Sequence, residues 1–197
     1  MTPHAVTPAS LLGGFADPAR QSARAFRAAL DALSRPGRIT RIEGAAPPAP
    51  PAPLSPAAGS LLLMLADATT PIWLAPSHDG PELRDWITFH TSAPFCGPEA
   101  AHFALGTWAA LQPVSRFCIG LPDYPDRSAT LLVEMDVLVH EGARLTGPGI
   151  DGEARLFVPD IQAFRANHAL FPLGFDTFLT AGSEIAGLPR TTKVEAI

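Results

Sequence analysis

The sequence predicts an α/β fold, a layered mixed sheet covered by helices, and two observations support this. Some segments carry apolar residues at helical spacing, whereas others are short runs of β-branched and aliphatic residues. The two kinds of segment alternate along most of the chain, as is typical of layered α/β proteins. With 197 residues, 47% of them hydrophobic, the chain is expected to form a single domain over residues 1–197.

The first predicted element is a helix that begins at Asp17-Pro18 and ends at Pro36-Gly37. Asp caps helix N-termini, Pro is favoured at the first helical position, and a Pro-Gly pair stops the helix. Apolar residues at spacings of three and four predict its buried stripe. That stripe would consist of Ala23, Phe26, Leu30 and Leu33.

A short strand is predicted around Ile39 and Ile42, and a Pro-Ala-rich tract over residues 45–58 follows it. This composition favours an extended chain with few hydrogen bonds. Because only residues 1–44 precede the tract, we predict a surface loop within one domain, not a linker between two.

Further elements are predicted along the rest of the chain. Helices are expected over residues 61–68, 82–90 and 159–170, and strands over 71–75, 103–105, 128–139, 156–158 and 175–180. The strand from Ser128 to Val139 is the strongest of these, because a β-prone apolar run passes into alternation. Residues 108–117 are apolar without a decisive period, and a further segment is expected near the C-terminus.

Composition excludes several function classes. A net charge of −5 argues against general nucleic-acid binding, which needs a basic surface. The longest apolar run, Leu61 to Ala66, is far shorter than the roughly 20 residues of a membrane span. Residues 1–10 show no export signal, and two cysteines cannot form a disulfide framework. We therefore expect a soluble cytoplasmic protein without nucleic-acid or membrane partners.

Three polar blocks have the chemistry of oxyanion binding: residues 124–130, 147–150 and 188–193. Arginine offers a planar fork that matches phosphate, hydroxyls add donors, and glycine lets backbone N–H groups approach an anion. The residues predicted to contact a ligand are Arg127, Ser128, Thr130, Gly147, Gly149, Arg190 and Thr191.

Each block also has a structural interpretation. Arg127 would pair with Asp123 or Asp126, residues 147–149 would form an ordinary hairpin turn, and residues 190–193 would be an exposed strand end. Arg35 and Arg38 are attributed to the helix dipole at the end of the first helix.

Catalytic signatures are weak. His90 is a candidate acid, base or ligand contact, because histidine titrates near neutral pH, and its alternative role is packing. Cys96 could act as a nucleophile with His90 or His102, but no family signature surrounds it. The histidine and cysteine spacings match no compact zinc pattern, so no metal is predicted. Phosphate-loop and dinucleotide-binding glycine motifs are absent, and the catalytic residues remain unknown.

The order of several segments resembles the H subunit family of the bacterial carbon–phosphorus lyase system, which degrades phosphonates. The matching segments are residues 26–37, 70–74, 89–94, 124–130, 145–150, 171–176 and 188–194. No single block is diagnostic, but their joint order is specific and covers most of the chain. Correspondence is lowest in the Pro-Ala tract.

This resemblance implies a fold similar to the large domain of pyridoxal-phosphate transferases, and a homodimer that joins the G, I and J subunits in a core complex. It also implies a role, together with the G, I and L proteins, in transferring ribose 5-triphosphate from ATP to methylphosphonate with release of adenine. The family supplies no catalytic residue that can be placed on this chain. Pyridoxal phosphate is not expected as a cofactor, since a Schiff base needs a lysine and Lys193 near the C-terminus is the only one.

Three hypotheses follow. The favoured one is a subunit that shapes or stabilises a partner's active site and has no turnover alone. The alternative is a phosphate- or phosphonate-binding transferase with its own Arg-based oxyanion site, which requires Arg127 and Arg190 to lie near each other. The third is an independent enzyme built on His90 or Cys96.

Overall fold

The computed structural model describes residues 11–42 and 47–197. Within them the helices are α1 (Pro18–Ser34), α2 (Pro56–Leu65), α3 (Pro81–Thr91), α4 (Trp108–Leu111) and α5 (Ile161–His168). The strands are β1 (Ile39–Arg41), β2 (Ile72–Leu74), β3 (Phe103–Thr107), β4 (Ile119–Leu121), β5 (Tyr124–Ser128), β6 (Thr130–Glu134), β7 (Ala143–Thr146), β8 (Ala154–Leu156), β9 (Asp176–Ala181), β10 (Glu184–Leu188) and β11 (Lys193–Ala196).

The principal sheet has six strands in the order β1-β10-β9-β6-β3-β2. Strands β2, β3, β6 and β9 are parallel, whereas β10 and β1 run antiparallel to their neighbours. The sheet is therefore mixed, which confirms the predicted α/β class. A three-stranded antiparallel sheet, β11-β7-β8, and the β4–β5 pair complete the described strands.

Apolar side chains are buried on both faces of the principal sheet. Leu132 on β6 and Phe178 on β9 pack against α1, α2 and α3 on one face. Leu131 and Leu179 pack on the other face, against α5 and the three-stranded sheet. A central parallel strand covered on both faces needs a continuous apolar run, and the three consecutive residues Leu131 to Val133 are all fully buried.

Helix α1 begins where the sequence predicts it. Asp17 is its N-cap, accepting from the Arg20 N–H at 3.3 Å, and Pro18 is its first residue. The predicted buried stripe is wrong, since Phe26 and Leu30 are 49% and 52% exposed. The face that packs on the sheet consists of Ala25, Ala29 and Ala32.

The reason for this correction lies on β10. A Cβ atom added to Gly187 would lie 2.6 Å from the carbonyl carbon and oxygen of Ala32. The helix backbone thus touches the sheet backbone, and only small residues fit between them. Hydrophobicity alone favoured the larger side chains, but steric fit decides which face is buried.

The strand predicted over residues 128–139 is divided. Residues 124–128, predicted as a loop, form β5 of the two-stranded sheet, and β6 of the principal sheet starts after the buried Ala129. Residues 135–139 are not in a strand. Met135 donates one backbone hydrogen bond to Thr180 of β9 and Val139 accepts one from Phe157, but these single bonds do not continue into a ladder.

The Pro-Ala tract also requires a correction. Residues 45 and 46 lie outside the described residues, and the loop ends at Ser55, the N-cap of α2. Pro56 is the first residue of α2, and Ala57 and Ala58 are fully buried. The last three residues of the tract are therefore core helix, since Pro suits a first turn and Ala packs without steric conflict.

The remaining predicted elements are confirmed within a few residues. Helix α2 lies earlier than the predicted residues 61–68, and the ambiguous residues 108–117 form α4 and a 3₁₀ turn at Val114–Arg116. A second 3₁₀ turn spans Pro98–Ala100. No helix within the described part of the chain has the length and apolar character needed to cross a bilayer.

Candidate functional site

Arg190 lies at the centre of the predicted anion site. Its guanidinium group donates to both carboxylate oxygens of Asp176, from Nε at 3.1 Å and from Nη2 at 2.7 Å. Nη2 also donates to Ser128 Oγ at 2.5 Å, and Nη1 donates to the carbonyl oxygen of Pro125 at 2.7 Å. These bonds occupy four of the five guanidinium N–H groups, and the side chain is only 10% exposed.

The sheet register brings these groups together. Thr130, the first residue of β6, pairs with Asp176, the first residue of β9, and Ser128 ends β5 shortly before β6. Asp176 Oδ1 also accepts from the backbone N–H of Arg190 at 2.9 Å. Sequence reasoning missed Asp176, although an acid at the start of a buried strand needs a partner and is itself a signal.

A depression of about 420 Å³ lies beside this anchor. Arg190 and Thr191 border it, together with Pro125, Asp126, Phe171, Pro172, Asp176 and Pro189. A ligand in the depression would meet an Arg190 whose donors are largely committed to the chain. Its strongest contacts with Arg190 would require displacing Asp176 or Ser128.

Arg127 is placed differently from its predicted partner Arg190. Its guanidinium carbon lies 4.1 Å from the centroid of the Tyr124 ring, a cation–π contact on the exposed surface of β5. Among the described residues neither Asp123 nor Asp126 forms an ion pair with it. Arg127 lies on β5, and Arg190 donates hydrogen bonds to two other residues of that strand. Arg190 is paired with the carboxylate of Asp176, whereas Arg127 has no carboxylate partner among the described residues.

Gly147 and Gly149 sit at close backbone contacts. Gly147 has φ +131°, and a Cβ there would lie 3.0 Å from the carbonyl oxygen of Thr191. Gly149 has φ +81°, and its Cβ would lie 1.9 Å from the carbonyl oxygen of Ser34. The turn is thereby wedged between the end of α1 and the segment after Arg190, and these contacts alone account for both glycines.

His90 lies on α3, and no hydrogen bond or ring contact among the described residues joins it to the Arg190 site. Its ring packs against Trp86 at 4.9 Å and Phe89 at 5.0 Å between centroids. Burial lowers the pKa of His90, although backbone carbonyls of Leu11 and Leu12 oppose the shift. The neutral form is favoured, as expected for a packing histidine.

Cys96 has the environment of a poor nucleophile. Burial, followed by the charge of Glu99, raises the pKa of its thiol. A reactive cysteine needs the opposite shift, because the thiolate is the nucleophile. Within residues 11–42 and 47–197, no three His, Cys, Asp or Glu side chains converge as metal ligands.

Lys193 lies on β11, outside the principal sheet. It is exposed and borders a groove of about 160 Å³ with Arg165, His168, Val194 and Glu195. This position differs from the end of a parallel strand, where ligand sites of open α/β sheets concentrate.

The carboxyl ends of the parallel strands, opposite the Arg190 site, hold the partly buried Glu134 and the buried His78, which the sequence analysis did not single out. Glu134, at the end of β6, accepts from the Ser55 backbone N–H at 2.7 Å and from Thr180 Oγ1 at 3.0 Å. Burial raises the pKa of Glu134, and these hydrogen bonds oppose the rise. His78 is 3% exposed, and burial lowers its pKa. Its Nδ1 is 2.9 Å from Ser77 Oγ.

Glu134 has a structural role here. Its carboxylate binds the N-cap residue of α2 and faces the positive end of that helix. This acceptor role resembles the Glu of a capping box, but it comes from a strand 79 residues away.

Comparison with known proteins identifies similar chains. Residues 13–195 match the family described as bacterial phosphonate metabolism protein (PhnH). The chain is 42% identical over 195 residues to "Alpha-D-ribose 1-methylphosphonate 5-triphosphate synthase subunit PhnH" of Rhizobium meliloti (strain 1021), covering 93% of this chain and 94% of that protein. It is 38% identical over 104 residues to HtxG of Stutzerimonas stutzeri, a candidate C-P lyase subunit, covering 49% of this chain and 52% of that protein.

Proposed function

Because the chain belongs to the PhnH family of bacterial phosphonate metabolism proteins, we propose that it is a subunit of the carbon–phosphorus lyase system. Together with partner subunits it would transfer ribose 5-triphosphate from ATP to methylphosphonate and release adenine. In this proposal the chain assembles and shapes the reaction site but does not supply the catalytic groups. It does so as a homodimer bound to the G, I and J subunits, without pyridoxal phosphate, in the cytoplasm.

The observation that carries the assembly role is an exposed apolar surface on α1. Phe26 and Leu30 are about half exposed and themselves line a groove of about 190 Å³. The rest of the lining consists of Leu33, Leu65, Phe103 and Phe178, with Ala29, Thr130 and Asp176. Exposed apolar side chains that line a groove mark an interaction surface.

We assign this surface to a second copy of the chain. Two copies can meet through this one apolar surface in the same way, since Phe26 and Leu30 of each copy can pack against the groove lining of the other. Such reciprocal contacts are the requirement of a twofold interface.

The bonding of Arg190 supports a role in assembly over an oxyanion site built on Arg190. The residue best suited to hold an oxyanion donates instead to Asp176, Ser128 and Pro125, and so joins β5 to the principal sheet. The alternative, a transferase with its own oxyanion site in this region, relies on Arg127, whose guanidinium is exposed. Calorimetric titration with ATP and with methylphosphonate tests it: micromolar heat lost in Arg127→Ala favours the alternative.

The test of the proposed function is reconstitution. Adenine release from ATP and methylphosphonate is measured with the G, I and L proteins, with and without this chain. We expect release only when the chain is present, and none from the chain alone. The double variant Phe26→Ser/Leu30→Ser should elute as a monomer and lose at least about tenfold in adenine release, since hot-spot side chains cost about 1–2 kcal/mol or more each.

The matched control is Leu121→Ser/Val137→Ser, which alters two equally exposed apolar residues outside the groove. It should keep both the oligomeric state and the activity. Adenine release by the isolated chain would contradict a non-catalytic role. A dimer that survives Phe26→Ser/Leu30→Ser would contradict the assigned interface.

A further inference from the structure

We propose that the groove between α1 and β1 is a binding site for a triphosphate group. This inference extends the proposed function, in which a triphosphate-bearing substrate reaches the complex, and it places a specific contact for that group on this chain. Neither the family match nor the names of the relatives assigns any residue of the groove a role.

The groove has a volume of about 490 Å³. Its basic lining comes from the exposed face of α1, from the turn after it, and from β1, which is an edge strand of the principal sheet. The lining residues are Arg24, Arg27, Ala28, Asp31, Arg35, Arg38, Thr40 and Arg41.

The charge of this groove is opposite to that of the chain. Its lining contains five guanidinium groups and one carboxylate, a local net charge of +4, whereas the chain carries −5. A triphosphate carries about four negative charges at neutral pH, so its charge matches that of the lining. Localised positive charge of this kind both attracts and holds an anion.

Arginines elsewhere on the described surface are commonly paired with acids. Arg84 pairs with Asp79, and Arg144 pairs with Glu195. In the groove, Arg24, Arg27 and Arg41 form no ion pair with any described residue. Guanidinium groups at close spacing without counter-charges repel one another, which an anionic ligand would relieve.

Asp31 fixes the positions of the remaining two arginines. Its carboxylate accepts from Arg35 Nη1 at 2.7 Å and lies 3.1 Å from Arg38 Nη1. Thr40 Oγ1 donates to the same carboxylate at 3.4 Å. Two guanidinium groups and a hydroxyl are thus held in place before a ligand arrives, which reduces the entropy lost on binding.

The spacing of the arginines selects an extended anion. Arg24, Arg27 and Asp31 recur at intervals of three and four along one face of α1, and Arg35 follows as its C-cap. From Arg24 to Ser34, the last residue of α1, the helix rises about 15 Å. A single orthophosphate could contact only part of this row, whereas a linear triphosphate can engage several guanidinium forks at once.

A purely structural role accounts for only some of these residues. The helix dipole favours Arg35 and Arg38 near the end of α1, but it does not explain Arg24 or Arg27. Arg41 also has structural explanations. A charge on the short edge strand β1 discourages pairing with another chain, and Arg41 lies opposite Glu184 of β10. Arg24 and Arg27 are left without a structural reason.

Calorimetric titration of the full chain at 150 mM salt tests the proposal with tripolyphosphate, pyrophosphate and orthophosphate as separate probes. We expect one site per chain with micromolar affinity for tripolyphosphate, and affinity at least about tenfold weaker for orthophosphate. The triple variant Arg24→Gln/Arg27→Gln/Arg38→Gln should weaken tripolyphosphate binding at least about thirtyfold, because each charged hydrogen bond contributes substantially. These side chains are exposed, so the variant is expected to fold.

Two control variants test whether tripolyphosphate binding is confined to this groove. Arg144→Gln/Arg155→Gln removes two exposed arginines outside the groove and should leave tripolyphosphate affinity unchanged. Arg127→Gln should also leave it unchanged. Absence of tripolyphosphate binding, binding that survives the triple variant, or loss in Arg127→Gln would each overturn the proposal.

The reconstituted assay distinguishes failure of this site from failure of the proposed function. If the triple variant loses tripolyphosphate binding but supports full adenine release, the groove binds triphosphate outside the reaction, and the link to the proposed function is wrong. If wild-type chain does not bind tripolyphosphate and the triple variant no longer joins the partner subunits, the groove is instead a contact for an acidic protein surface.

Discussion

Arg190 illustrates how one guanidinium group can organise a junction between strands. It binds a carboxylate, a hydroxyl and a backbone carbonyl contributed by three separate residues of two strands. The planar fork of arginine makes this arrangement specific, since lysine offers only a single charged nitrogen. The residue therefore contributes to stability whether or not a ligand ever approaches it.

Arg190→Ala should lower the free energy of unfolding by about 3 kcal/mol. This is the lower end of the range for breaking a buried ion pair, because the Asp176 carboxylate keeps partial access to water. Urea denaturation of the purified chain measures this change. Arg190→Lys should recover only part of the loss, since it cannot reach Asp176, Ser128 and Pro125 together.

Arg144→Ala is the appropriate comparison for Arg190. Its ion pair with Glu195 is about half exposed on both sides and should contribute less than about 1 kcal/mol. Equal losses in the two alanine variants would show that Arg190 is not an internal anchor.

Glu134 makes stability depend on pH. Burial raises its pKa above the ordinary value of 4.5, so the folded chain holds this proton more tightly than the unfolded chain. The free energy of unfolding should therefore fall as pH increases from about 4 through the raised pKa. Glu134→Gln cannot ionise and should lose this decline, which urea denaturation at several pH values between about 4 and 7 would detect. Parallel pH profiles for the two proteins would refute the assignment.

At the scale of elements, the contact between α1 and β10 depends on the absence of side chains. Ala25, Ala29 and Ala32 face the sheet, and Gly187 lies directly under the helix backbone. Close packing of this kind leaves no room for even one extra methyl group. The same closeness leaves the larger side chains, Phe26 and Leu30, on the outer faces of the helix.

Gly187→Ala should displace α1 from the sheet and cost about 1–3 kcal/mol, the range for overpacking a core. The new Cβ would meet backbone atoms of Ala32 and Leu33 at 2.6–2.8 Å, and backbone cannot move aside as a side chain can. Thermal and urea denaturation both measure the loss.

Gly80→Ala serves as the control, because a Cβ at Gly80 meets nothing within 4 Å. Its cost should stay below about 1 kcal/mol, which reflects only the weaker capping of α3 by alanine. A Gly187→Ala variant as stable as Gly80→Ala would mean that α1 adjusts freely to the added methyl group.

At the scale of the whole molecule, the sequence predicted the alternation of helices and strands more successfully than the surfaces those elements present. Capping residues and apolar runs are local signals, so α1, α3, β2 and β9 were found within a few residues. The burial of an alanine face on α1 depends on Gly187, which is distant in the chain, and no local pattern reports it.

In the candidate site, too, local sequence signals were predicted correctly and contacts between distant residues were not. The polar blocks carrying Ser128 and Arg190 do meet in space, as a shared anion site requires. Whether the arginine remains available depends on Asp176, whose position is set by pairing of β6 with β9. The arginine groove escaped the sequence analysis because its members come from a helix, a turn and a strand, and each has an acceptable local role.

The hydrogen bonds of Arg190 also couple the local unfolding of the β4–β5 hairpin to that of β11. The guanidinium group holds the end of the β4–β5 hairpin to the first residue of β9, and Arg190 itself lies three residues before β11 begins. Peeling the hairpin away must break these bonds, and this frees the tether that leads into β11. We therefore expect the hairpin and the C-terminal strand to unfold locally as one cooperative unit, with their backbone amides opening to hydrogen exchange together.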